Sequence, residues 1–363
     1  MSEETLERLP VSVLTGFLGS GKTTVLRHLL RQPELSDTAV IINEFGEIGL
    51  DHLLVESSNE DMLLLSSGCL CCTIRGDLIQ TLRSLYKRRA KGEIPPFRRV
   101  VIETTGLADP APILHTLMQD PQLSDFYRLD GVIATVDAVN GMDQLDRQSE
   151  SVKQAAVADR IVLTKTDLAS GTAALERRLR QLNPAAPILH AAEGRVEAAA
   201  LFDAGLYNPS SKSLDVQRWL HEEAYVDRRA DRRGRMHDHG HAGRHDGHDH
   251  GRLDRNRHDD HIRAFCLRHE APLDWARFVD WIEMLISLHG ANLLRIKGIL
   301  NVAGSKGPVA IHGVQHLFHP PVELAGWPDE DHASRLVFIT RDIEQTTLAK
   351  GLAAFQGGDA VQP

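Results

Sequence analysis

Residues 16–24 read Gly16-Phe-Leu-Gly-Ser-Gly21-Lys22-Thr23-Thr24, a complete G-x-x-x-x-G-K-T pattern, and no other stretch restricts the fold so tightly. Such a loop works only where a buried strand delivers it and a helix leaves it, because successive main-chain N–H groups must converge on an anion at a helix N-terminus. Both flanks are present: the apolar run at residues 11–14 precedes the loop, and Val25, Leu26, Leu29 and Leu30 recur at helical spacing behind it. Gly16, Gly19, Ser20, Gly21 and Thr24 supply the curl around a polyphosphate, Lys22 sets a cation on its outer phosphates, and the Thr23 hydroxyl suits Mg²⁺. The expected ligand is a nucleoside triphosphate.

From this anchor the pattern continues as strands alternating with helices. Short apolar runs at residues 39–42, 62–65, 100–102, 132–136, 161–163 and 187–189 read as buried strands. Leu78, Ile79, Leu82, Leu85 and Tyr86, and then Leu175, Leu179 and Leu182, mark helix faces between them. The expected class is α/β, a doubly wound and mostly parallel sheet, over residues 1–212. Residues 226–261 have almost no apolar content and hold eight histidines, so 213–261 reads as a His-rich flexible linker. A small α+β domain follows over 262–356, with strands at 262–267, 293–302, 309–316 and 335–340 and helices near 275–288 and 343–355, and then a tail at 357–363.

A net charge of −9 argues against a nucleic-acid partner, which calls for a basic face. The first residues lack an apolar signal core and no run of 18 apolar residues occurs, so no membrane association is expected and the cytoplasm is the expected compartment. In a reducing compartment three of the four cysteines crowded into Cys69-Leu-Cys71-Cys72 suggest metal binding or reactivity rather than a disulfide.

Four segments beyond the glycine loop carry chemistry. Glu103-Thr-Thr-Gly106 ends an apolar strand, where a carboxylate can join the Mg²⁺ shell and the Gly106 N–H can meet the terminal phosphate; Lys22, Thr23 and Glu103 are thus the expected catalytic group. Thr164-Lys165-Thr-Asp167 follows another strand: a carboxylate at Asp167 accepts from guanine N1–H and the 2-amino group, which selects GTP, and the Lys165 stem can lie along the base. Thr164 stands where the common pattern has Asn, which weakens the expected base affinity. Cys69, Cys71 and Cys72 suit Zn²⁺, or else Co²⁺ or Ni²⁺, with Glu47, His115 or water to complete the shell. His237, His239, His241, His245, His248 and His250 form an auxiliary metal-collecting tract, with a biased hydrophilic linker as the plainer reading. Cys266, inside an expected strand, reads as packing, and His312, His316 and His319 as packing or surface groups.

Together these segments, with Asn43-Glu-Phe-Gly-Glu47 after the second strand, resemble the CobW-type GTPases, relatives of the GTPases that insert nickel during hydrogenase and urease maturation. The resemblance covers nearly the whole chain. It implies a P-loop GTPase domain and CobW-type C-terminal domain, phosphate and Mg²⁺ roles for Lys22 and Thr23, guanine recognition by Asp167, and metal transfer from Cys69, Cys71 and Cys72 to a client metalloenzyme. Glu47 matches an acid that joins a metal site in some relatives. Ile42 departs from the acid that some relatives carry before the Asn. The expected function is a GTP-hydrolysing metallochaperone whose metal affinity depends on nucleotide state. Turnover is expected to be slow, since no water-positioning residue stands out. The alternative is a metal-storage protein using the His-rich tract, with a structural nucleotide site; a phosphoryl-transferring kinase lacks an acceptor-activating Asp. The client and the oligomeric state, a homo-oligomer included, are not set by these motifs.

Overall fold

The structure, a computed structural model, describes residues 8–42, 52–55, 63–66, 74–202, 261–327 and 329–357. Its first sheet has the strands β1 (Leu9–Gly16), β2 (Thr38–Ile42), β3 (His52–Val55), β4 (Leu63–Ser66), β5 (Arg99–Glu103), β6 (Tyr127–Asp137), β7 (Arg160–Thr164) and β8 (Ile188–Ala191) in the spatial order β4-β3-β2-β5-β1-β6-β7-β8. From β2 to β8 across this order every pairing is parallel. The strand expected at 62–65 appears as β4, yet it lies at the edge, antiparallel to β3, which the sequence pattern missed. Only residues 43–51 and 56–62 connect β2, β3 and β4. A parallel crossover takes a dozen residues or more, so connections this short leave antiparallel pairing as the available geometry.

Both faces of the parallel strands are covered, which is why they read as continuous apolar runs. The helices are α1 (Lys22–Leu29), α2 (Ile74–Ala90), α3 (Ala111–Gln119), α4 (Pro121–Ser124), α5 (Gly141–Arg147), α6 (Ser149–Val157), α7 (Ala173–Leu182) and α8 (Ala198–Leu201). Val11 and Val13 pack with Leu82 of α2 and Leu114 of α3, while the intervening face presents Leu14 to Val25, Leu26 and Leu29 of α1. Ile161 and Leu163 of β7 meet α6 and α7 through Val152 and Leu179. After β1 the chain turns to one side of the sheet, and after β5 it crosses to the other. The carboxyl end of β1 therefore lies at the crevice where ligands of doubly wound sheets bind.

The second sheet is antiparallel. It has β9 (Ile262–His269), β10 (Leu293–Leu300), β11 (Val309–Val314), β12 (Leu317–Phe318), β13 (Val322–Glu323) and β14 (Ser334–Arg341) in the order β12-β11-β10-β14-β9, with β13 also on β11. Helices α9 (Trp275–His289) and α10 (Gln345–Gln356) cover one face, burying Phe278, Trp281 and Leu285, and Leu348 and Leu352, against Phe265, Ile296 and Phe338. Asp274 caps α9, accepting from the Arg277 N–H at 3.0 Å. The expected strand at 309–316 stops at Val314 because Gln315 takes a left-handed φ of 54° and turns the chain into β12.

The opposite face of this sheet packs on the first domain. Leu294 and Ile339 join the core formed by α6 and α7, and Val314 joins that of α2 and α3. At the seam Asp159, just before β7, accepts from Arg295 and, at 2.7 Å, from Lys297 Nζ, both on β10. His312 is buried beside these charges, and Cys266 is half-buried in a small cluster with Ile299 and Val337. Among the described residues no helix is long and apolar enough to cross a membrane.

Candidate nucleotide site

The glycine loop leaves β1 as its motif requires. Gly16 has a φ of 144°, and a β-carbon there would stand 2.2 Å from Thr135 Oγ1, so no side chain fits. Ser20 reaches the same hydroxyl at 2.6 Å, tying the loop to β6, and Gly21 caps α1 in the left-handed conformation. Lys22 is buried and curls back, donating to the carbonyls of Gly16 at 2.9 Å and Phe17 at 3.2 Å. Thr23 and Thr24 are exposed at the first turn of α1, with the Gly19 bend just before them.

Glu103 lies at the end of β5, buried, and its Oε1 accepts from the Thr23 hydroxyl at 2.7 Å. This joins a hydroxyl of the loop to a carboxylate of the adjacent strand, the hard oxygen pair that Mg²⁺ prefers. The following residues are pinned to β1: the Thr104 N–H donates to the Leu14 carbonyl at 2.9 Å and its hydroxyl to Thr15 Oγ1 at 2.9 Å. A β-carbon on Gly106 would lie 2.5 Å from Leu18 Cα and 2.6 Å from Leu18 N, so the two loops touch main chain to main chain.

Thr164, Lys165 and Asp167 follow β7. The Thr164 hydroxyl, fully buried, donates to the Ser20 carbonyl at 2.6 Å, so it braces the phosphate loop. Lys165 has a φ of 55° and donates to Asp137 Oδ2 at 2.7 Å. Asp167 Oδ1 accepts from the Glu193 N–H at 3.0 Å, which fixes that carboxylate against the loop after β8. That loop touches α1 in turn, for a β-carbon on Gly194 would stand 2.9 Å from Thr24 Cγ2.

Sequence reasoning missed several residues that this geometry recruits. Asp137 ends β6; burial alone would raise its carboxyl, but bonds from Lys165, Asn140 and the Val139 and Asn140 N–H groups hold it below its ordinary value. A carboxylate at the end of a buried parallel strand was the available signal, the one that singled out Glu103. Gln154 donates to the Gly106 and Ala108 carbonyls at 3.3 and 3.0 Å, and Lys153 to Asp109 at 2.9 Å.

Glu47, Cys69, Cys71, Cys72 and the histidines His237, His239, His241, His245, His248 and His250 lie outside the described residues. Among the described residues no group of three or more His, Cys, Asp or Glu side chains is placed to hold a metal. His115, on α3, meets His316 edge to face with ring centroids 4.3 Å apart at the domain seam.

The comparisons with known proteins agree with this architecture. A model described as CobW/HypB/UreG, nucleotide-binding domain, matches residues 10–190, and one described as cobalamin synthesis protein cobW C-terminal domain matches 262–356. The zinc chaperone YjiA of Escherichia coli (strain K12) is 32% identical over 349 residues, covering 96% of this chain and 98% of that protein. The zinc chaperone CobW of Pseudomonas aeruginosa is 30% identical over 384 residues, covering 96% and 92%. Zinc-regulated GTPase metalloprotein activator 1 of Schizosaccharomyces pombe is 33% identical over 229 residues, 60% of this chain and 54% of that one. The crystal structure of Zn(II)-bound YjiA GTPase superposes with a TM-score of 0.68 at 29% identity, covering 96% and 99% of the two chains.

Proposed function

The chain belongs to the CobW/HypB/UreG family of nucleotide-binding proteins, and on that footing we propose that it is a GTP-hydrolysing metallochaperone that carries zinc, or cobalt or nickel, to a client metalloenzyme. The observation that carries the reading is the 2.7 Å contact between Thr23 and Glu103 beside the glycine loop. It sets a hydroxyl and a carboxylate together beside the glycine loop that also carries Lys22, the three groups a Mg²⁺-bound triphosphate needs. The names of the relatives support the metal half, and their coverage of both domains supports extending it to the whole chain.

In this reading Lys22 exchanges its bonds to the Gly16 and Phe17 carbonyls for the outer phosphates. Thr23 and Glu103 would hold Mg²⁺, which when bound neutralises developing phosphate charge. Asp167, already oriented by the Glu193 N–H, accepts from the guanine edge, while Asp137 holds Lys165 beside it. Gly16, Gly19, Ser20, Gly21 and Thr24 cradle the phosphates, and Thr164 keeps that cradle in register with the base loop. Gly106, against Leu18, meets the terminal phosphate.

The cargo metal is held by Cys69, Cys71 and Cys72, with Glu47 as an additional ligand and the histidine tract collecting metal from solution. Nucleotide state alters the grip of the thiolates, and hydrolysis resets it. Metal analysis of wild type and Cys71→Ser tests the cargo site. We expect one tightly held zinc in the wild type and its loss in the variant. Full zinc retention by Cys71→Ser, with loss on deletion of residues 237–250, would instead fit storage by the tract.

A further inference from the structure

The carboxylate of Asp109, three residues after Gly106, receives bonds from both domains. Its Oδ1 accepts from the Ala111 N–H at 3.0 Å at the start of α3. Its Oδ2 accepts from Lys153 of α6 at 2.9 Å and from Gln315 Nε2 of the C-terminal domain at 3.2 Å. Burial alone would raise this carboxyl, yet these donors hold it below its ordinary value, so it stays ionised as their common acceptor.

Gln315 reaches this place at a conformational cost. It sits in the two-residue turn between β11 and β12 with a φ of 54°, a region where a residue carrying a side chain is uncommon. Its neighbour His316 holds the turn down, with its ring edge to face on His115 of α3 and its Cβ 3.0 Å from where a β-carbon on Gly290 would be. The strained turn is therefore fixed from two sides, and the amide it presents meets the loop that abuts the phosphate loop.

We propose that Gln315 is a positioning residue for the nucleotide site: through Asp109 it holds the 106–109 segment, so that the Gly106 N–H is set for the terminal phosphate. The inference rests on the GTPase reading above. GDP lacks the phosphate that Gly106 meets, so the brace acts on GTP and not on GDP. The C-terminal domain is then part of the hydrolytic unit, and whatever shifts its seat on α3 changes GTP handling.

The test uses the full chain as wild type, Gln315→Ala and Gln315→Lys, the last keeping a donor long enough to reach Asp109. Affinities for GDP and for a non-hydrolysable GTP analogue with Mg²⁺ are measured by fluorescence, together with kcat and KM for GTP, and the thermal midpoint of each variant reports folding. For Gln315→Ala we expect GDP affinity unchanged within about 2-fold and analogue affinity and kcat both about 5- to 10-fold lower, the scale of one ordinary hydrogen bond. Gln315→Lys is expected to recover most of the loss. An unchanged analogue-to-GDP ratio and kcat in Gln315→Ala overturns the inference, as does equal weakening of both nucleotides, which marks a purely structural role. A wild type indifferent to guanine nucleotides overturns the GTPase reading itself and this inference with it.

Discussion

The buried hydroxyl of Thr164 donates to the carbonyl of Ser20 across 2.6 Å, joining the end of β7 to the phosphate loop. A second contact, to the Val136 carbonyl at 3.2 Å, fixes the side chain from the β6 side. The residue that departs from the usual base-recognition pattern thus links the phosphate loop to the segment carrying Lys165 and Asp167.

Thr164→Val keeps the shape and deletes the donor, leaving the Ser20 carbonyl with one partner fewer in a buried place. The expected cost is about 1–2 kcal/mol of stability. Because the brace is common to both nucleotide states, GTP and GDP affinity should each fall roughly tenfold. Parallel thermal unfolding and fluorescent-nucleotide titration of the variant check both numbers.

Gly106→Ala tests the contact between the two loops. The added carbon would lie 2.5 and 2.6 Å from main-chain atoms of Leu18, and backbone cannot yield as a flexible side chain can. Overpacking of this kind costs about 1–3 kcal/mol, and here the strain falls on the phosphate loop. GTP turnover should drop at least about tenfold, whereas Gly171→Ala, with no atom within 4 Å of its added carbon, should be silent. Steady-state hydrolysis by the two variants decides it.

What was legible in the sequence was local. The glycine loop, Glu103 at a strand end and Asp167 after β7 each announce themselves within a few residues. β3 did not, because its four residues take their place from pairing with β2 and β4. Thr23 and Glu103, 80 positions apart, were still paired by their motifs, but the partner from the second domain was hidden by separation: Gln315 is 206 positions from Asp109 and carries no motif. Arg295 and Lys297 hint at domain docking, two charges at alternate positions of an otherwise apolar strand, facing away from α9 and α10 and toward Asp159.

That docking charge cluster has a pH signature. Burial would raise the Asp159 carboxyl, but Arg295 and Lys297 hold it far below the ordinary carboxylate range. Its contribution to stability is therefore present above pH 3.8 and lost as the pH falls further. Burial and the neighbouring Arg295 lower Lys297 from 10.5 to about 8 despite Asp159. Between those values the unfolded chain holds a proton that the folded chain has released, so wild type should gain stability from about pH 8 to 10.5 relative to Lys297→Met. Asp159→Asn leaves two buried cations uncompensated and should cost about 3–5 kcal/mol. Denaturant unfolding across this pH range measures both effects.

In the proposed metallochaperone, guanine nucleotide at the glycine loop and zinc on Cys69, Cys71 and Cys72 share free energy. Competition titration of zinc into the wild-type protein, once saturated with a non-hydrolysable GTP analogue and once with GDP, measures that coupling. The zinc dissociation constants should differ by about fivefold or more, with the reciprocal effect of zinc on nucleotide affinity. Equal zinc affinities in the two nucleotide states would contradict the coupling.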